Sequence, residues 1–264
     1  MKLHHIVLAA ALMFGATPAL AQSGFNGTWK ADSASATFNE KPFEFRLKDG
    51  MYHCGACTPP LDVKADGMFH KVTGHDGFDE VSIELNPDKT ITESYRKAGK
   101  MMSVGTDTLS PDGNTITYSY VDTSGANGQA VKGSVTLVRA SGSAPAGLHP
   151  INGLWKTGSI AGVSDTELML TLKVDGNTLT ESFPTGESAT MTFGGPAVPL
   201  KGSTSGGTVS ATKSGDNEIV INRFKKDGTQ SGMMALTLMP DQTLSIAMTN
   251  KTTGDTTRFK AAKQ

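Results

Sequence analysis

Cys54 and Cys57 are the only two cysteines among 264 residues, and they stand in the string Tyr52-His53-Cys54-Gly55-Ala56-Cys57-Thr58-Pro59-Pro60. Sulfurs at Cys-x-x-Cys spacing have three chemistries open to them. In an exported chain the default is a short-loop disulfide, here stiffening the passage into the double proline. A redox pair would need a helix amino terminus to lower the leading thiol's pKa. Thr58-Pro59-Pro60 opposes one, because the residue before a proline is pushed toward extended backbone. The third chemistry is a metal site. His70 and His75 follow Cys57 at zinc-finger spacing, and His53 adds another donor. A finger needs both histidines on one helix, whereas Gly67, Gly74, Gly77 and the strand-like Leu61-Asp62-Val63 argue against a helix. A plain metal site through His53, Cys54, Cys57, His70 and His75 stays open as the alternative, against the ordinary reading of exposed loop histidines.

Other chemistry leaves no local trace. There is no Gly-x-Ser-x-Gly elbow, phosphate loop, His-Glu-x-x-His or dinucleotide fingerprint. Gly202-Ser203-Thr204-Ser205-Gly206 has threonine at the nucleophile's place and reads as loop. The expectation is a non-catalytic protein without a cofactor, although a site built inside a barrel from scattered strands would leave no motif.

The elements that must position these residues come in two copies. Gly27-Thr28-Trp29-Lys30 returns as Gly153-Leu154-Trp155-Lys156, and these are the only two tryptophans. Asp49-Gly50 matches Asp175-Gly176, Val81-Ser82 matches Val209-Ser210, Tyr95 matches Phe224, and Pro111-Asp112 matches Pro240-Asp241. Glycines, turn prolines and aromatics in one order signal an internal duplication. Strand patterns dominate each copy: Phe43-Glu44-Phe45-Arg46-Leu47-Lys48 alternates apolar with charged, and Thr115–Val121, Glu218–Phe224 and Leu244–Met248 are similar. Asp-Gly pairs punctuate them as tight turns. About eight short strands per half predict an all-β chain of two tandem antiparallel barrels. The first would span 22–140 and the second 151–264, with 141–150, small and proline-punctuated, as linker.

Residues 1–21 read as an export signal: Lys2, an apolar core from Ile6 to Phe14, then Ala19-Leu20-Ala21 before Gln22. No segment reads as a membrane span, so a periplasmic or secreted protein is expected. A net charge of −1 gives no electrostatic reason for a nucleic-acid partner. The sequence sets no oligomeric state.

Asparagine followed by Gly-x-Trp-Lys at the head of each β-meander resembles the lipocalin-like (calycin) barrels. That resemblance implies a tryptophan on the first strand plugging the barrel floor, with a basic residue of the last strand packed on it. Arg139 would cover the first ring, Trp29; Arg258 or Lys260 would cover Trp155. It also implies a small apolar ligand, or another envelope component, bound at one or both barrel mouths. The rivals are a metal- or thiol-binding protein centred on Cys54 and Cys57, and side-chain-filled structural barrels that bind nothing.

Overall fold

The computed structural model describes residues 23–142 and 146–264; the leader expected at 1–21 lies outside the described residues. The early strands are β1 (Gly27–Asn39), β2 (Phe43–Lys48), β3 (Met51–Cys54), β4 (Leu61–Lys64) and β5 (His70–Lys71). Next come β6 (Glu80–Leu85), β7 (Ile91–Lys97), β8 (Lys100–Leu109), β9 (Thr115–Asp122) and β10 (Val131–Ser141). β11 (Gly153–Ala161) precedes one short helix, α1 (Asp165–Leu168), then β12 (Met169–Asp175), β13 (Thr178–Ser182), β14 (Ser188–Thr192) and β15 (Val198–Pro199). β16 (Thr208–Ser214), β17 (Glu218–Phe224), β18 (Gln230–Leu238), β19 (Leu244–Asn250) and β20 (Thr256–Lys263) complete the described elements.

These strands form two antiparallel sheets of ten, each curled into a nearly closed barrel, as the alternation predicts. On β2 the buried Phe45 and Leu47 face inward while Arg46 and Lys48 face out. Asp49 and Gly50, at φ 52° and 75°, make the tight turn into β3. The amide of Gly67 donates to Ile83 O at 2.9 Å to help close the first barrel. The pairings of Ser188 with Lys201 and Phe193 with Ala211 help close the second.

The order of strands departs from two tandem halves. The first sheet runs β4-β3-β2-β11-β10-β9-β8-β7-β6-β5, and the second β14-β13-β12-β1-β20-β19-β18-β17-β16-β15. Each repeat's opening strand therefore closes the other barrel. The first barrel is a continuous stretch from β2 to β11, inserted between β1 and the rest of the second. Of the residues expected as the linker, 141–150, Ser141 ends β10 and the described residues 142 and 146–150 follow it before β11 of the same barrel; 143–145 are outside the described residues. The chain passes between barrels at Glu40–Pro42 and through the α1 segment.

The repeated motif explains its own residues in this arrangement. Asn26 clamps Val174 of the second barrel, accepting its amide at 2.6 Å and donating to its carbonyl at 3.2 Å. Asn152 does the same to Leu47 of the first, at 2.9 and 3.1 Å. Trp29 Nε1 donates to Phe25 O and Trp155 Nε1 to Ile151 O, both at 2.8 Å. Both rings are buried, Trp29 among Leu170, Leu172 and Leu244, Trp155 among Phe45, Leu47 and Ile116. Arg139 does cap a tryptophan, but that of the other repeat: its guanidinium lies 4.2 Å from the Trp155 ring centroid. Trp29 is capped by Lys263 at 5.2 Å, while Arg258 and Lys260 are exposed on β20. Pairing decides this, since Arg139 stands opposite Trp155 and Lys263 opposite Trp29. The motif glycine makes room for the cation. Gly27 and Gly153 have φ of 135° and 146°, and a Cβ would lie 2.7 Å from Lys263 Cε or 2.4 Å from Arg139 Nη1.

Candidate functional site

Neither the cysteines nor the histidines gather into a reactive centre. Cys54 and Cys57 are joined in the expected disulfide. His53 Nδ1 bonds Asp62 Oδ1 at 2.9 Å and His70 Nε2 bonds Asp66 Oδ1 at 2.7 Å. His75 stacks on Phe78, centroids 4.4 Å apart. The five residues of the metal alternative are thus spent in separate contacts, and among the described residues no cluster of three or more metal-ligating side chains forms.

A polar cluster that no local motif announces lies inside the first barrel. Strand alternation turns Glu93 and Tyr95 of β7, Asp107 of β8, Tyr118 of β9 and Tyr52 of β3 toward the interior. Glu93 stands opposite Gly105, and Asp107 opposite Tyr118. Gly105 has no side chain because Tyr118 occupies the space: a Cβ would sit 2.2 Å from Tyr118 Oη. Glu93 accepts the Tyr52 hydroxyl at 2.6 Å and the Tyr95 hydroxyl at 2.5 Å. Asp107, only 2% exposed, receives no O–H or N–H at Oδ2. The Glu93 carboxyl is its neighbour, and two acids can bond only if one carries a proton.

Burial, then the negative charge of Glu93, drives the Asp107 carboxyl well above the usual carboxylate range. Burial also raises Glu93, but bonds from Tyr52, Tyr95 and Asp107 favour its charged form. Both directions favour a proton shared between the two acids. Burial and the charge of Glu93 push the Tyr52 and Tyr95 phenols well up, so both remain neutral donors.

A cavity of about 380 Å³ opens onto this cluster. Glu93, Asp107, Tyr95 and Tyr118 line it, with Phe43, Phe45, Val135, Leu137 and the disulfide loop. Glu40, Lys41, Thr157 and, from the second barrel, Asn250, Thr253 and Asp255 complete its lining. Glu40 is held by Thr157, whose hydroxyl donates to it at 3.1 Å. The volume is at the small end of ligand pockets.

The second barrel is an internal control. Val81 faces Tyr95 as Val209 faces Arg223, Ile83 faces Glu93 as Ala211 faces Ile221, and Ile91 faces Asp107 as Ile219 faces Leu236. The shared sheet bulge after Tyr95 and after Arg223 fixes the register, one residue from the sequence pairing of Tyr95 with Phe224. By the same logic Tyr118 corresponds to Ile246, Tyr52 to Leu179 and Cys54 to Glu181. Where the first barrel has Glu93, Asp107, Tyr52 and Tyr118, its copy has Ile221, Leu236, Leu179 and Ile246, all in its packed core. The fold does not require the polar cluster.

The second barrel's polar feature is Glu181, fully buried, which meets Arg223 at 3.2 Å. A cavity of about 580 Å³ lies between the barrels, lined by Phe183, Arg223, Met234 and Met248 on one side and Tyr120 and Val131 on the other. Tyr120 donates there to Glu167 of α1 at 3.0 Å.

Compared with known proteins, the chain matches no protein family, no curated protein and no solved structure.

Proposed function

We propose that this is an exported small-molecule-binding protein whose first barrel holds the ligand and whose second barrel completes and supports it. The observation that carries the reading is the buried acid Asp107 with an unpartnered oxygen, lining a cavity where the duplicate copy has Leu236. A buried acceptor left without a donor costs about 1–3 kcal/mol; the second barrel carries one as well, Glu181 Oε1, but at the place of Asp107 itself the copy has an apolar residue. A ligand that donates to Asp107 removes that cost. The barrel architecture and the two Gly-x-Trp openings support a lipocalin-like ancestry, in which interior binding is the usual use of the fold. The leader-like residues 1–21 and the Cys54–Cys57 disulfide support an oxidising, exported setting.

The test is a thermal-shift screen of small metabolites on the full-length protein and on a variant carrying Glu93→Ile with Asp107→Leu, the residues of the second barrel. Binding in the first barrel predicts compounds that raise the melting temperature of the native protein alone. Compounds that stabilise both proteins equally would refute the assignment of the site.

A further inference from the structure

The buried acids of the two barrels differ in what faces them. In the second barrel Glu181 is met by Arg223, which stands at the place of Tyr95 in the first. In the first barrel Glu93 and Asp107 meet phenols and each other, and among the described residues no Lys, Arg or His forms an ion pair with either. The duplicated scaffold supplies a cation to the one site and leaves the other without.

The cavity has the chemistry to receive one from outside. Its acidic lining is Glu40, Glu93, Asp107 and Asp255 against the single Lys41. Glu40 is committed to Thr157, and of the lining acids Asp107 is the one with a buried oxygen that has no donor. Around the acids stand the rings of Phe43, Phe45, Tyr95 and Tyr118, whose faces attract a cation and whose edges fit an apolar body. Resting on the reading of the first barrel as a ligand site, we propose that its ligand is an organic cation, an apolar body bearing a protonated amine. The ammonium sits between Glu93 and Asp107.

An ammonium is a donor only, so it matches acceptors and clashes with a carboxylic acid's own O–H. On binding, the proton shared by the two acids leaves to water, the ammonium bonds both carboxylates, and one positive charge replaces another. The other titratable groups facing the pair are Tyr52 on β3, Tyr95 on β7 and Tyr118 on β9, all held neutral by burial and the nearby acids. Glu40, Lys41 and Asp255 complete the charged groups lining the cavity. The released proton therefore comes from the Glu93–Asp107 pair.

Three probes that share a ring and chain but differ in head group decide the class: 2-phenylethylamine, 2-phenylethanol and phenylacetate, titrated calorimetrically into the full-length protein at neutral pH. The amine should bind about ten- to a hundredfold more tightly than the alcohol, the worth of a charge-assisted bond, and phenylacetate should bind least. The amine's enthalpy should vary with the ionisation enthalpy of the buffer as release of about one proton requires. Glu93→Gln and Asp107→Asn should each weaken the amine far more than the alcohol and so erase most of its advantage. Alcohol or carboxylate binding as well as the amine overturns the cationic class and leaves a ligand barrel standing. Amine binding unaffected by both substitutions overturns the seat between the two acids. Failure of all three probes, together with an empty thermal-shift screen, overturns both readings. The head-group ranking on the native protein needs no variant to fold.

Discussion

Replacing Asp107 by leucine should make the protein more stable. Asp107 is nearly fully buried, its Oδ2 has no donor, and its counterpart Leu236 is fully buried in the second barrel. Removing an orphaned acceptor returns about 1–3 kcal/mol. Burying a leucine side chain adds a contribution of about 1.5–3 kcal/mol, reduced because the neighbouring cavity leaves it partly unpacked. Against these stands the lost bond to Glu93, about 1 kcal/mol. A net gain of about 1–3 kcal/mol follows at neutral pH, and it should depend on pH. The folded-state pKa of Asp107 is raised, so the acid destabilises the fold progressively as pH climbs from its unfolded value, about 4, through the raised folded value. Below that window the penalty is absent. The advantage of Asp107→Leu should accordingly be smaller in mild acid than at pH 8. Urea unfolding at both pH values, followed by fluorescence in a Trp29→Phe background so that Trp155 reports the first barrel, measures it. Destabilisation by more than about 2 kcal/mol at both pH values would show that Asp107 is a structural tie, and the reasoning from its missing partner would fail.

Four further outcomes follow from the exchanged strands and the disulfide. Residues 40–163, expressed alone, should unfold cooperatively, because they contain all ten strands of one sheet; chains cut between 144 and 145 should not each do so. Trp29→Ala should cost about 3–5 kcal/mol in the second barrel while leaving hydrogen-exchange protection of β7–β9 intact, and Trp155→Ala should do the reverse. Gly153→Ala should destabilise the first barrel by about 1–3 kcal/mol, since its Cβ would displace the Arg139 guanidinium; a thermal melt reads the loss. Mass spectrometry of unreduced protein should show a chain two hydrogens lighter than the reduced one, and reduction should cost less than the roughly 3 kcal/mol expected of a fifteen-residue loop.

Alternation along strands such as Phe43–Lys48 and Asp-Gly turns made the barrels legible in the sequence, and the repeated Gly-x-Trp-Lys made the duplication so. What the repeat could not convey is which partner each copy's first strand takes. A strand closes its own barrel or its neighbour's with the same inward face and the same hydrogen bonds, so composition is silent between them. Arg139 was recognisable as a cap for an indole, but the indole it covers is fixed by pairing across β10 and β11. The carboxyl cluster was hidden for a related reason. Glu93 and Asp107 lie on separate strands, each an ordinary polar residue among threonines and serines until the register turns both inward. One signal was available: four tyrosines in the whole chain, all in the first copy. The second copy's apolar residues at the matching places of Tyr52 and Tyr118 mark an asymmetry that packing does not demand.

The exchange also sets an order of events as the polypeptide emerges. Trp29 must pair with Leu170 on one side and Lys263 on the other, yet β1 is made first and β20 last. The whole first barrel can form in the interval, roughly ten seconds or more at ordinary rates of synthesis. Throughout it β1 is an unsatisfied edge carrying a large aromatic side chain, the kind of surface that recruits other chains. The segment that follows β20 helps close it: the amide of Gln264 donates to Thr28 O at 2.9 Å. A chain that stopped before β20 would keep a finished first barrel and leave β1 exposed, so a strand made late acts as the latch on one made early.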